Sequence, residues 1–174
     1  MSEEKVEERP RIFVFGSNLA GIHGAGSAKF AEEKHGAIRG IGVGLWNNSY
    51  AIPTKGASTF EDKNGAVKMG IGEVLDLGTI TNYVYQFLDF AESRPDLDFD
   101  VVPIGCGISG YKHEEIAPMF LDYPENVFFL DPEFEKAINK AEEDRERQEY
   151  KDWEEVALLE QQDKEFTAAK ASCV

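Results

Sequence analysis

The chain changes rhythm repeatedly between apolar and polar positions, and each change marks an element. Residues 12–15, IFVF, are a continuous apolar run that predicts a buried strand. A polar, glycine-laden turn follows from Gly16 to Gly26, and a helix is expected from near Ala25, with Ala28, Phe30 and Ala31 on one stripe and Gly36 as its stop. Residues 36–48 carry four glycines and no period, which reads as a loop with at most a short strand. In SYAIPTK, Tyr50 and Ile52 alternate with smaller residues as in a strand; Pro53 should end the pairing or sit on an edge, leaving Thr54 and Lys55 just past the strand. Residues 56–78 show neither period and read as a long irregular insertion, a lid or a mobile segment.

From Thr79 to Arg94, Ile80, Val84, Phe87, Leu88 and Ala91 recur at helical spacing, with Thr79 as the expected N-cap and Pro95 beyond the end. Residues 98–104 read as a buried strand entering a second glycine turn, Gly105 to Tyr111. A short helix over 113–120, limited by Pro118, and a last strand over 126–130 complete the pattern. Asp131-Pro132 is a helix start, and Phe134, Ala137, Ile138 and Ala141 give that helix a docking face. Past it the sequence is charged all round, with Tyr150, Trp153, Val156 and Leu159 forming only a thin stripe.

Strands alternating with helices predict an α/β fold of three layers, α/β/α, around a mixed or mostly parallel sheet, with a C-terminal helical extension. The expected organisation is a leader over 1–10, a compact domain over 11–141 and an acidic helical tail over 142–174. The formal charge of −15, from 18 Lys and Arg against 33 Asp and Glu, argues against generic binding to a nucleic-acid backbone. The two cysteines, Cys106 and Cys173, have neither metal-site nor disulfide-framework spacing, so no metal is expected. MSEEKVEERP lacks the apolar run of a signal peptide, and no segment approaches the roughly 18 apolar residues of a membrane span. A cytoplasmic protein with no membrane partner is the expectation, and the tail offers a surface for pairing with a second copy.

Candidate chemistry gathers where strands are expected to end. In open α/β sheets ligands sit beyond the carboxyl ends of strands, and three features follow predicted strands here: Gly16–Gly26, Thr54-Lys55 and Gly105–Tyr111. The first turn supplies Asn18, His23 and a run of backbone donors through Gly21, Gly24, Ala25, Gly26 and Ser27 that can wrap a diphosphate. The second can hold the other side through Gly105, Cys106, Gly107, Ile108, Ser109 and Gly110, with Tyr111 closing over the ligand. Lys55 can contact phosphate or, if desolvated, act as a nucleophile. Each has a plainer reading: the glycines as tight-turn residues, His23 as a packing histidine, Lys55 as a solvated surface lysine. GCGISG also has the form of a dinucleotide fingerprint, but it lies late in the chain, and no strand ending in a ribose-binding acid follows about 20 residues on.

The stretches FVFGSNLAGIHGAGSAKFAEEKHGA, SYAIPTK and IGCGISGYKHEEIAPMF, in that order and spacing, resemble a macrodomain, the fold that binds ADP-ribose. The likeness is nearest to the branch containing the terminal ADP-ribose protein glycohydrolase and the antitoxins that remove ADP-ribose from DNA. It extends, over nearly all of residues 11–130, to macro-like proteins frequent in bacteriophages and bacteria. The resemblance implies that Gly24–Ala28 hold the diphosphate and distal ribose, that Gly105–Tyr111 are the second phosphate loop, and that Lys55 sits where the hydrolase branch carries a lysine that attacks the ribose anomeric carbon. An aspartate just after the stretch matching IGCG, residues 104–107, assists in those enzymes; here the matching position is Ser109, with Glu114 or Glu115 as stand-ins. The motif of poly(ADP-ribose) glycohydrolases is not evident.

The expected function is binding of ADP-ribose or a related nucleotide between the two loops, without a cofactor, with hydrolysis of an ADP-ribosyl bond through Lys55 as the enzymatic form. The alternatives are a non-enzymatic sponge for a cyclic ADP-ribose-type signal, acting in the host cytoplasm if phage-encoded, and an interaction protein working through its acidic tail.

Overall fold

The structure, a computed structural model, describes residues 8–172. Its elements in order are β1 (Arg11–Asn18), α1 (Gly26–Lys34), β2 (Gly44–Trp46), β3 (Ser49–Glu61), β4 (Val67–Val74), α2 (Leu77–Glu92), β5 (Asp98–Val101), α3 (His113–Ile116), a 3-10 turn (Ala117–Phe120), β6 (Val127–Phe129) and α4 (Pro132–Ser172). The architecture is α/β with a mixed six-stranded sheet in the order β2-β3-β1-β5-β6, with β4 pairing the outer half of β3.

Strand β1 is the middle of the sheet because both its faces are apolar. Ile12 and Val14 point into one core cluster with Val84, Phe87, Phe99, Phe120 and Phe134, while Phe13 and Phe15 point into a second, smaller one with Ala28 and Ala31 of α1. α1 therefore covers one face, and α2, α3 and the first turns of α4 cover the other. β1 pairs in parallel with β3 on one side and with β5 on the other. The chain leaves β1 through α1 toward β3 and returns through α2 to β5, so the direction of winding reverses at β1, the position where such sheets open a crevice.

Several sequence expectations change. Residues 56–78 are not an irregular insertion: β3 continues to Glu61, turns at Asp62–Gly65, and returns antiparallel as β4. Pro53 does not end β3, because it falls between Ala51, the last partner of β2, and Lys55, the first partner of β4, where no ladder bond calls for its missing N–H. The cap of α2 is Asp76, whose Oδ1 accepts from the Thr79 backbone N–H at 2.9 Å, so Thr79 lies one turn inside. The helix expected over 113–120 is one α turn followed by a 3-10 turn containing Pro118, and β5 stops at Val101 although the Val102 N–H still donates to the Val14 carbonyl.

The chain divides into a unit ending at Ile138 and a second beginning at Asn139, so the division falls within α4. The second unit is helix throughout its described length, mostly exposed, and carries local pairs such as Arg147 with Asp144 and Gln148 with Asp152. No helix among the described residues is long and apolar enough to cross a membrane. Cys173 lies outside the described residues.

Candidate functional site

The carboxyl end of β1 lies beside the middle of β3, with Ser17 opposite Pro53 and Asn18 opposite Lys55, and the exit of β5 is adjacent through the pairing of Val14 with Val101. A cleft of about 460 Å³ opens there, within the roughly 300–1,000 Å³ usual for small-ligand sites. Of the residues singled out in the sequence, Asn18, Gly24, Ala25, Gly26, Ser27, Thr54, Lys55 and Gly105 through Ser109 line it, so the structure brings both glycine turns and the lysine to one place.

The first wall is the start of α1. Ala25 is the N-cap and supplies no side-chain cap, and the first turn contains no acidic residue. The opening N–H groups of the helix lack intrahelical acceptors by construction, and here no side chain satisfies them, so they are available to a ligand. Gly26 has φ +57, and a Cβ built on it would find nothing closer than Ile108 Cδ1 at 3.9 Å. Glycine is required there by the left-handed backbone, and its bare Cα leaves the cleft open.

Gly105–Tyr111 forms the second wall, a loop closed on itself by Gly110 N–H to the Gly107 carbonyl (3.0 Å) and Tyr111 N–H to the Gly105 carbonyl (3.1 Å). Hydroxyls latch it to the middle of β3. The buried Thr54 Oγ1 lies 2.8 Å from Ser109 Oγ and 3.3 Å from the Ser17 carbonyl. Since Thr54 has one proton to give to the carbonyl, Ser109 is the donor to Thr54. Cys106 points its thiol at the Ile104 carbonyl, 3.3 Å away, and burial, reinforced by Asp131, Glu114 and Glu115, pushes it up to about 12. It is therefore a thiol at neutral pH and not a nucleophile.

Four residues expected to touch a ligand are set elsewhere. His23 is 1% exposed, with Nε2 3.2 Å from both the Ile38 and Ile41 carbonyls and its ring edge-on to Phe15, which makes it the packing histidine of the plainer reading. Gly21 lies where a Cβ would come within 2.2 Å of the Ile41 N, so it serves the close approach of residues 40–41. Gly110 completes the second turn away from the cleft. Tyr111 does not line the cleft: its hydroxyl donates to the Leu75 carbonyl at 2.6 Å and ties the second loop to the segment before α2. Asn18 lines the cleft, and its amide bonds the Ile22 backbone at 2.8 and 3.0 Å, shaping the turn.

Sequence reasoning missed Ile71 and His113, both of which line the cleft. Ile71 lay in the segment read as irregular, where Asn64-Gly65 between alternating residues was the available hairpin signal. His113 follows the second turn by two residues and stacks edge-on against Phe134, its ring centroid 5.4 Å away. The two acids considered as stand-ins do not line the cleft: Glu115 Oε2 accepts from the Lys112 backbone N–H at 2.8 Å as a helix cap, and Glu114 is exposed.

The electrostatic character of the site follows from what lines it. Asp and Glu make up 33 of the 174 residues, yet none of the twenty lining residues is acidic, and Lys55 is the one Lys or Arg among them. Lys55 is half-buried, and no ion pair engages it among the described residues. Ile22, Val102, Pro103 and Ile108 give the remaining wall an apolar surface.

No family model matches the chain, and no curated protein does. Among solved structures, a protein of unknown function from Bacteroides thetaiotaomicron is similar at 14% identity and a TM-score of 0.46, covering 72% of this chain and 91% of its own. A second crystal structure of a protein from the same organism is similar at 14% identity and a TM-score of 0.45, covering 72% and 92%.

Proposed function

We propose that the cleft binds ADP-ribose or a closely related nucleotide. The observation that carries the reading is the absence of any carboxylate from the lining of a cleft in so acidic a chain, combined with the uncapped start of α1 and a lysine without an ion pair. A diphosphate placed 4 Å from a carboxylate would meet roughly 1 to 4 kcal/mol of repulsion per charge pair, depending on local screening. Here it meets N–H groups on one side, a second glycine loop on the other and an ammonium between them, while the apolar wall accepts sugar and base. The order of the two loops and the lysine, resembling that of macrodomains, supports ADP-ribose over a simple anion.

The test is ligand-induced stabilisation. ADP-ribose should raise the melting temperature, and Gly26→Glu should abolish that rise by placing a carboxylate at the phosphate position. Gly26→Ala, which imposes the same backbone strain of about 1 kcal/mol without the charge, should retain it. No rise with ADP-ribose, NAD or cyclic ADP-ribose isomers would sink the reading.

Binding without turnover is favoured over hydrolysis by one arrangement. The position corresponding to the assisting aspartate is Ser109, whose hydroxyl is engaged with Thr54, and no acid among the described residues lines the cleft. Lys55 attack on an anomeric carbon would then have no carboxylic acid to protonate the departing group. Recovering the nucleotide unaltered from the denatured complex supports sequestration; a changed mass, lost in Lys55→Gln, supports the enzyme.

A further inference from the structure

The edges of the sheet are unequal. β2 and β6 are three residues long, whereas β4 has eight residues and, among the described residues, pairs with β3 alone, so its outer edge presents unpaired backbone donors and acceptors. Proteins ordinarily blunt such an edge with short strands, prolines or exposed charge. β4 contains no proline, its lysine, Lys68, is drawn to Asp62 at 2.8 Å, and its other charged residue, the exposed Glu73, lies near its far end, so residues 67–71 carry no other charge. Val67, Met69 and Ile71 share one face and are 68%, 57% and 44% exposed. Ile71 is also part of the cleft wall, so this strip runs roughly 13 Å from the hairpin tip into the candidate ligand site.

Resting on the nucleotide reading above, we propose that the ligand is presented on a polypeptide: an extended segment of an ADP-ribosylated protein adds to the free edge of β4 and delivers its modified side chain into the cleft past Ile71. A free strand edge is matched by another peptide backbone, which supplies alternating N–H and carbonyl groups at the same spacing. Val67 and Met69 then receive alternate side chains of that segment. A nucleic-acid carrier has no such ladder to offer and would meet a chain of formal charge −15.

The experiment compares four probes by calorimetry: free ADP-ribose, a peptide of about eight residues carrying ADP-ribose on a central serine, the unmodified peptide, and the modified peptide with alternate amides N-methylated. The modified peptide should bind at least about ten-fold more tightly than free ADP-ribose. N-methylation should remove that gain with the native protein, and so should the double variant Val67→Lys/Met69→Lys, whose affinity for free ADP-ribose should be unchanged. Equal affinity for free and peptide-borne ADP-ribose overturns the proposal and leaves the nucleotide reading standing. Binding of neither overturns both. A dimer in sedimentation that the double variant dissociates, with no peptide gain, assigns the edge to a second copy and also overturns it.

Discussion

The two halves of β3 live in different environments. From Ser49 to Thr54 every residue is buried, paired with β1 on one side and partly with β2 on the other and covered by helices on both faces. From Ala57 to Glu61 every residue is exposed, and pairing is with β4 alone. The change occurs at Thr54-Lys55, and so does the cleft. A strand that leaves the covered sheet carries a rigid, buried anchor on one side of the junction and open space on the other, which places Lys55 where it is positioned by the core yet reachable from solvent.

That contrast can be broken from either half. Ile52, 1% exposed in the main core, should be the most costly: Ile52→Ala is expected to remove about 2 to 5 kcal/mol of stability in urea unfolding, through lost burial and the cavity left behind. A loss under 1 kcal/mol would mean the covered half is no anchor. Burial pushes the Tyr50 phenol up from 10.0 to about 12. The folded protein therefore holds that proton more tightly than the unfolded chain. Its contribution is fully present below pH 10 and is lost as pH rises through about 12. Stability measured across that window should fall, and Tyr50→Phe should flatten the fall.

At the junction, Thr54→Val keeps the shape but leaves the Ser109 hydroxyl and the Ser17 carbonyl without their partner. It is expected to cost about 1 kcal/mol and to quicken amide exchange in Gly105–Tyr111. Exchange unchanged in that loop would show that the hydroxyl pair does not hold it. In the exposed half, Thr59→Val exchanges one β-branched residue for another and should stay within about 0.5 kcal/mol. A larger effect would mean the hairpin is packed against something in solution.

The same contrast explains what could be read without the structure. α2 was legible because Ile80, Val84, Phe87, Leu88 and Ala91 face one core, although its start was misplaced: Leu77-Gly78 looks unlike a helix, and the Asp76 carboxylate has to be seen bonding Thr79 before the cap moves. The hairpin was missed because residues 57–61 show no alternation, both faces of that stretch meeting solvent, which left Asn64-Gly65 and the alternation of Val67, Met69 and Ile71 as its signal. His23 and Tyr111 stayed open for a related reason: residue type announces hydrogen-bonding capacity, but the carbonyls of Ile38, Ile41 and Leu75 that engage His23 Nε2 and the Tyr111 hydroxyl are separated from them in the chain.

What the sequence determined by itself is local: the apolar runs that become strands, the glycines that permit positive φ at Gly26 and Gly105, and a net charge that makes any acid-free surface conspicuous. Only the tertiary structure decided that β1 stands between β3 and β5, since nothing local distinguishes one parallel neighbour from another. That placement gathers two loops about eighty residues apart and one lysine at the carboxyl end of β1, and among the described residues it brings no acidic side chain into the lining. Charge on this chain is spread by sequence, but which side chains reach the cleft is decided by packing, because the lining is assembled from segments far apart in the chain.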